Sequence, residues 1–259
     1  MNTDGHGFGL KAVILAAGKG TRMKELTNEL PKPMLPVQGR PILEHILEGL
    51  RSAGIRDCCI VTGWRREVIE THFADGACWG VNIQFVEQKV QDGTGKAPEL
   101  AKDFVGREPF LLTYGDILVK PETYGQMLRR FGEDRFSGLI TVTAGEDVTK
   151  GAINFFDDTF CLRKLVEKPT RAQLDEFRTS GLLRDGDPVW YNAGIYMFDP
   201  VVFEYTARLQ RSPRNEYELT DAIIAMVGTG HRIAGLKIEG RWVDVRDPEV
   251  LAALERGEV

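Results

Sequence analysis

The residues best suited to chemistry stand near the start of the chain. Leu15, Ala16, Ala17, Gly18, Lys19, Gly20, Thr21, Arg22 and Met23 form a run of small residues with basic ones set among them. Small side chains let backbone N–H groups approach a phosphate chain closely, and glycine also reaches the positive φ that a nest of such groups needs. Lys19, Arg22 and Lys24 add positive charge. Pro31 and Pro33 flank Lys32, so the backbone around it is fixed and its ammonium is limited in where it points. This chemistry is that of polyphosphate binding; the plainer alternative is a surface turn followed by a solvated basic loop. Two common phosphate patterns do not fit. The order G-x-x-x-x-G-K-[ST] is absent, and G-x-G-x-x-G fails at its third glycine, where Met23 stands.

Such a loop must be carried by a strand, and the sequence supplies one. Lys11 to Ala16 reads as a buried strand. Ile42, Leu43, Ile46, Leu47 and Leu50 have helical spacing behind Pro41, and Gly54 stops that helix. Further strands are expected over 57–62, 81–87 and 109–114, with helices over 67–73, 95–104 and 121–131. The second half is less regular. Strands are expected over 138–144, within 152–167 on either side of a turn at Asp157 and Asp158, over 191–198 and over 231–238. A partly helical segment follows Pro169, and helices are expected over 216–227 and 248–254. Strands apolar on both faces and separated by helices imply an α/β single domain, a mixed, mostly parallel sheet flanked by helices. Residues 1–9, polar and Gly-rich, are set apart as a flexible N-terminal segment, with one domain over 10–259.

Composition narrows the classes. The 259 residues carry 33 Lys and Arg against 38 Asp and Glu, a net charge of −5. A mildly acidic chain argues against a nucleic-acid-coating protein. No run approaches the ~18 apolar residues of a membrane span, and no basic start followed by an apolar run marks a secretory signal. Cys58, Cys59, Cys78 and Cys161 form no C-x-x-C, and the four histidines do not pair with them at ligand spacing, so free buried thiols in a reducing cytoplasm are expected and a zinc site is not.

Several further motifs follow in order: Gln88, then Asp92-Gly93-Thr94, Tyr114-Gly115-Asp116, Glu167-Lys168-Pro169, Tyr191-Asn192-Ala193-Gly194 and Trp242-Val243-Asp244. Together with the run 15–22 and Lys32, this series resembles the signature of the sugar-1-phosphate nucleotidylyltransferases over about residues 10 to 254. The resemblance implies a Rossmann-like nucleotide-diphospho-sugar transferase fold and the reaction of an NTP with a sugar-1-phosphate, giving NDP-sugar and pyrophosphate. The nucleophile in that reaction is already anionic, since the second pKa of a phosphate monoester is near ~6. No general base is then required, and the demand is for positioning and charge neutralisation between two polyanions.

By that resemblance, Leu15, Ala16, Ala17, Gly18, Gly20 and Thr21 wrap the nucleotide. Arg22 holds the leaving phosphates, Lys32 contacts oxygens at the reacting phosphorus, and Lys168 binds the phosphate of the sugar-1-phosphate. Gln88, Gly93 and Thr94 read the base. A glutamine amide both donates and accepts, which suits uracil or thymine, so UTP or dTTP is favoured. Gly115, Gly151, Glu167 and Asn192 are implied sugar contacts. Asp116 follows an apolar strand through Gly115, at the strand end where ligands of parallel sheets sit. With Asp244 it is the implied pair of Mg²⁺ ligands; taken alone, Asp244 reads equally as a loop or capping residue beside the helix start at Asp247 and Pro248.

Two departures stand out. Lys150 precedes Gly151 where many members have Tyr, and Asp92 stands where Leu is more frequent. Trp242, Tyr191 and the pair Phe155 and Phe156 read as core. The helix from Glu216 reads as structural or as a subunit contact, compatible with a homo-oligomer. The sequence shows no hexapeptide repeat, and nucleotidyl transfer alone is expected. A transferase for a non-sugar phosphate such as phosphocholine, and a non-catalytic nucleotide-sugar sensor, are the alternatives. A sensor is expected to lose Arg22, Lys32 or a metal carboxylate, and all are present. A nicotinamide-dependent dehydrogenase is lower still, given the failed glycine fingerprint.

Overall fold

The computed structural model describes residues 9–258; the N-terminal segment expected over 1–9 lies, apart from Gly9, outside them. The first apolar run forms β1 (Lys11–Ala16). A small hairpin of β2 (Pro36–Val37) and β3 (Arg40–Pro41) leads into α1 (Ile42–Ser52). Then come β4 (Asp57–Thr62), α2 (Arg66–Phe73), β5 (Asn82–Glu87), α3 (Lys102–Val105), β6 (Phe110–Tyr114), β7 (Ile117–Val119), α4 (Glu122–Gly132) and β8 (Gly138–Thr143). The second half adds β9 (Ala152–Phe156), β10 (Leu162–Glu167), α5 (Arg171–Thr179), β11 (Trp190–Phe198) and α6 (Val202–Thr206). It closes with α7 (Leu219–Gly228), β12 (Ile233–Lys237), β13 (Trp242–Asp244) and α8 (Pro248–Glu255).

Nine strands make one sheet in the order β10-β9-β11-β6-β1-β4-β5, with β8 pairing both β11 and β12. The block β6-β1-β4-β5 is parallel, and β11 joins it antiparallel to β6. Successive residues of the central strands feed opposite layers. Ala12, Ile14, Cys58 and Ile60 pack on one side, Val13, Cys59 and Val61 on the other. Burial on both faces is why these strands are apolar throughout rather than alternating. A smaller cluster of Val148, Ile153, Phe155, Phe177, Leu183 and Tyr191 packs under α5.

Three local differences from the sequence reading have physical causes. The helix expected from Gly95 is a 3-10 turn over Ala97–Ala101 followed by the single α-turn of α3, because the Glu99 N–H donates to Lys96 O at 3.1 Å rather than one residue further back to Gly95 O. The helix expected from Glu216 starts at Leu219, since Tyr217 O accepts from Gly95 N at 2.7 Å and the Asp221 N–H turns to Glu218 O at 3.2 Å instead. Cys58, Cys59 and Cys161 are buried free thiols as expected, but Cys78 is exposed, in a 3-10 turn over Ala77–Trp79 that buries none of its residues. At the C-terminal end, Asp247 caps α8 by accepting from Val250 N at 2.9 Å with Pro248 at the first helical position. Among the described residues no helix is long and apolar enough to cross a membrane.

Candidate active site

The carboxyl ends of the parallel strands open into two adjoining cavities of about 510 and 220 Å³. The larger receives the run 15–22, which leaves the end of β1. Its backbone is held from behind. Ala17 O accepts from Trp64 N at 3.1 Å and from Gln91 Nε2 at 2.7 Å, and Thr27 Oγ1 donates to Gly20 O at 3.1 Å. Gly20 has φ +66°, and a Cβ there would lie 2.9 Å from the Cβ of Lys32. Only glycine lets the loop rest on that lysine in this conformation. The loop's basic residues divide. Arg22 lines the cavity, whereas the Lys19 ammonium sits 4.5 Å over the Trp64 ring.

Lys32 is buried in a 3-10 turn entered from extended Pro31. Its ammonium pairs with Asp116 Oδ2 and lies 3.9 Å from Asp244 Oδ1. The two carboxylates come from distant parts of the chain. They meet because β7 pairs antiparallel with β13, setting Asp244 opposite Ile117, while Val245 N donates to Asp116 O at 2.9 Å. Burial, then the negative charge of Asp116, pushes the Asp244 carboxyl up to about 6, with Lys32 opposing. Two adjacent carboxylates with one ammonium between them are an oxygen donor set of the kind Mg²⁺ takes, one or two carboxylates completed by phosphate oxygens. Among the described residues no three His, Cys, Asp or Glu side chains group as a metal cage, so a substrate would have to supply the remaining oxygens.

The smaller cavity is lined by Gly151, Glu167, Lys168 and Asn192, and shares Thr94, Tyr114 and Asp244 with the larger. Lys168 has φ +42°, a left-handed backbone for a non-glycine residue, and its N–H donates to Gly151 O at 2.5 Å. Such a conformation is held at a cost of roughly 1–3 kcal/mol and is concentrated at functional sites. Gly151 faces the Tyr191 ring so closely that a Cβ would meet its hydroxyl at 2.3 Å. Asn192 Oδ1 accepts from Gly194 N at 3.2 Å and Tyr196 OH at 3.1 Å, which fixes the amide with its NH₂ side left for other acceptors. Burial, partly offset by Arg214, pushes the Glu167 carboxyl up to about 7.

Every residue given a binding, catalytic or metal role from the sequence therefore lines one of two touching cavities, whereas Lys19, Lys24 and Asp92 line neither. Gln88, Gly93 and Thr94 lie in the larger, and Gly115, read with the sugar contacts, lies there too, its N–H donating to Leu15 O at 2.9 Å. Tyr191 and Trp242, read as core, pack edge to face at 5.6 Å and also wall the smaller cavity. The start of the helix expected over 216–227, read as structural or as a subunit contact, also borders the site, together with Arg214 before it. Arg214 reaches Glu167 at 3.3 Å and Glu218 at 2.7 Å, and Arg214, Glu216, Glu218 and Thr220 all line the smaller cavity. Nothing in the local pattern around Arg214 distinguishes it from a solvated arginine; only the packing of α7 on β10 brings it in. Gln91 was missed in the same way beside Gln88.

Comparison with known proteins shows the family and the fold. The family model described as nucleotidyl transferase matches residues 11–256. The low-salt glycan biosynthesis nucleotidyltransferase Agl11 of Haloferax volcanii is 33% identical over 93% of this chain and 63% of its own length. The bifunctional protein GlmU of Methanococcus aeolicus is 34% identical over 92% of this chain and 52% of its own. The chain thus spans between half and two thirds of those relatives. The UTP–glucose-1-phosphate uridylyltransferase AglF of Haloferax volcanii is 30% identical, with 93% of each chain covered. In fold, the chain superposes on a UDP-glucose pyrophosphorylase complexed with UDP-glucose with a TM-score of 0.82, at 22% identity over 96% of this chain and 97% of that one. A Bacillus anthracis structure described as a putative glucose-1-phosphate thymidylyltransferase gives 0.81 at 23% identity, covering 96% and 95%.

Proposed function

This chain belongs to the nucleotidyl transferase family, and we propose that it transfers a nucleotidyl group from UTP or dTTP to a sugar-1-phosphate, releasing pyrophosphate. The observation that carries the reading is the meeting of two cavities at Asp244, one built of backbone and cations, the other of hydroxyl-binding side chains. A phosphate chain fits the first, where the run 15–22 offers N–H groups and Arg22 and Lys32 offer charge. A sugar phosphate fits the second, with Lys168 for its phosphate and Glu167 and Asn192 for its hydroxyls.

In the reaction a phosphate oxygen of the sugar-1-phosphate attacks the α-phosphorus. A P–O bond forms there, and the bond to the β-phosphate oxygen breaks in line with it. Pyrophosphate leaves with the electron pair, and no proton is transferred. Lys168 holds the nucleophile, Lys32 neutralises charge at the reacting phosphorus, and Arg22 holds the leaving group. Asp116 and Asp244 are the residues that would hold Mg²⁺, which supplies neutralisation of phosphate charge when bound. A dianionic nucleophile needs no base, in keeping with cavities that no His, Ser or Cys among the described residues lines. Gln88, on the larger cavity, supports a pyrimidine base. Buried free thiols at Cys58, Cys59 and Cys161 support a reducing, cytoplasmic setting. Partners are the two substrates, with no role for nucleic acid or membrane, and a homo-oligomer is compatible with the fold.

The test is pyrophosphate release over a grid of UTP, dTTP, GTP, CTP and ATP against glucose-, N-acetylglucosamine-, galactose- and mannose-1-phosphate, each with Mg²⁺ and with chelator. Metal-dependent release with UTP or dTTP is expected. Release only with GTP or ATP overturns the reading of Gln88, and a blank grid from folded protein overturns the reaction.

A further inference from the structure

We propose that residues 211–219 form a strap that couples the nucleotide-base loop to the sugar cavity, with Tyr217 as its positioning residue; the proposal rests on the reaction just described. The strap and the base loop touch backbone to backbone. Tyr217 N donates to Asp92 O and Tyr217 O accepts from Gly95 N, both at 2.7 Å, and Leu219 N donates to Thr94 Oγ1 at 3.3 Å. Gly93, at φ +119°, lies so close that a Cβ there would be 2.3 Å from Tyr217 O. The base loop cannot shift without carrying Tyr217 along.

The other end of the strap reaches the sugar side. Arg214, three residues before Tyr217, is joined to Glu167 and Glu218 on the smaller cavity. Glu216, next to Tyr217, borders both cavities. Between these ends the Tyr217 ring is gripped by two cations, with Arg211 4.9 Å and Lys96 5.5 Å from its centroid. Each cation is itself anchored, Lys96 to Thr206 O at 2.6 Å and Arg211 to Asn215 O at 2.7 Å, with Asp92 3.9 Å from Arg211. A base that orders Gln88 to Thr94 therefore orders the carrier of Arg214. By linkage the sugar phosphate must in turn tighten the nucleotide. Tyr217 lines neither cavity, whereas Arg214 and Glu216 do, so it acts by placing those two.

Binding of glucose-1-phosphate measured calorimetrically, with and without saturating α,β-methylene-UTP and Mg²⁺, tests this. In the wild-type protein the nucleotide analogue is expected to tighten glucose-1-phosphate by about tenfold, within the usual range of coupling between sites. Tyr217→Phe keeps the ring and is expected to keep that ratio. Tyr217→Ala is expected to bring it within about twofold of unity while the analogue alone still binds. Arg211→Gln, a change at an exposed side chain that leaves the core intact, is expected to reduce the ratio to about threefold. Full coupling retained in both Tyr217→Ala and Arg211→Gln overturns the strap, as does a wild-type protein that binds both probes independently. Where turnover selects another pair, that sugar phosphate and the α,β-methylene analogue of that nucleotide are the probes; a wild-type protein that binds neither probe and releases no pyrophosphate with any pair overturns the reaction reading, and the strap with it.

Discussion

The two cavities meet at Asp244 and Glu216 but are built in opposite ways. The larger takes most of its phosphate-facing wall from one unbroken stretch, Leu15 to Arg22, at the end of one central strand. The smaller draws Gly151, Glu167, Asn192 and Arg214 from four separate segments. A triphosphate is the same in every nucleotide, so backbone N–H groups on a fixed loop serve it regardless of side chain. A hexose is told from its epimers by single hydroxyls, which side chains on independent elements can follow one at a time. On the proposed reaction, the difference assigns the polyphosphate to the contiguous region and the choice of sugar to the dispersed one.

The sharpest way to break this comparison is at a point the two regions share. Asp244→Asn is expected to lower kcat by about a thousandfold, the scale seen when a preorganised electrostatic group at a reacting centre is lost. Its melting temperature should not fall, because the variant relieves a buried carboxylate that faces Asp116 and leaves the Lys32 to Asp116 pair intact. Near-normal turnover with Mg²⁺ would remove Asp244 from the chemistry. Next in size, Lys168→Ala should raise KM for the sugar phosphate by about fiftyfold, the worth of a hydrogen bond to a charged group, with KM for the nucleotide nearly unchanged. A change confined to the nucleotide would move Lys168 to the other cavity.

The contrast also explains what could be read in advance. The loop 15–22 and Lys32 were legible because their chemistry is local: small residues, fixed prolines and charges within two dozen positions. The central strands were legible because burial on both faces makes them uniformly apolar. Asp116 was legible as a strand-end carboxylate, but its pairing with Asp244 came only through resemblance, since their meeting depends on the pairing of β7 with β13, two three-residue strands without a pattern of their own. Arg214 and Glu218 were missed altogether. Their approach to Glu167 is set by where α7 packs, and the helix expected from Glu216 would have turned them differently. Non-local pairing, rather than any weakness of local pattern, hid these residues.

A third prediction separates the two glycines of the contiguous region. Gly20→Ala forces a side chain into left-handed backbone and against Lys32, so it should destabilise the fold by about 1–2 kcal/mol. By shifting Lys32 it should also lower kcat by about tenfold. Gly18→Ala meets nothing within 4 Å and has no positive φ, so its stability should stay within about 0.5 kcal/mol of wild type. Paired thermal melts and turnover decide it: equal losses from both glycines would mean that the loop is not seated on Lys32 as described.

The smallest effect lies wholly in the dispersed region and depends on pH. Glu167 has its carboxyl pushed up to about 7 by burial, against an ordinary value of 4.5. A raised carboxyl favours the folded state while it is protonated in both states, below the ordinary value, and that advantage is lost as pH rises through 7. Glu167→Gln mimics the protonated form at all pH values. It should match wild type near pH 4 and exceed it at pH 8 by about 2 kcal/mol, each unit of pKa being worth about 1.4 kcal/mol before the water still reaching the group is discounted. Melting temperatures across that range test the sign. In turnover, the wild-type KM for the sugar phosphate should change by about threefold between pH 6 and 8 as the carboxyl passes from donor to acceptor toward a hydroxyl, while KM for the nucleotide stays flat. The Gln variant should lose that component and keep only the response set by the substrate phosphates, which titrate near ~6; a wild-type response equal to the variant's would remove Glu167 from the sugar contact.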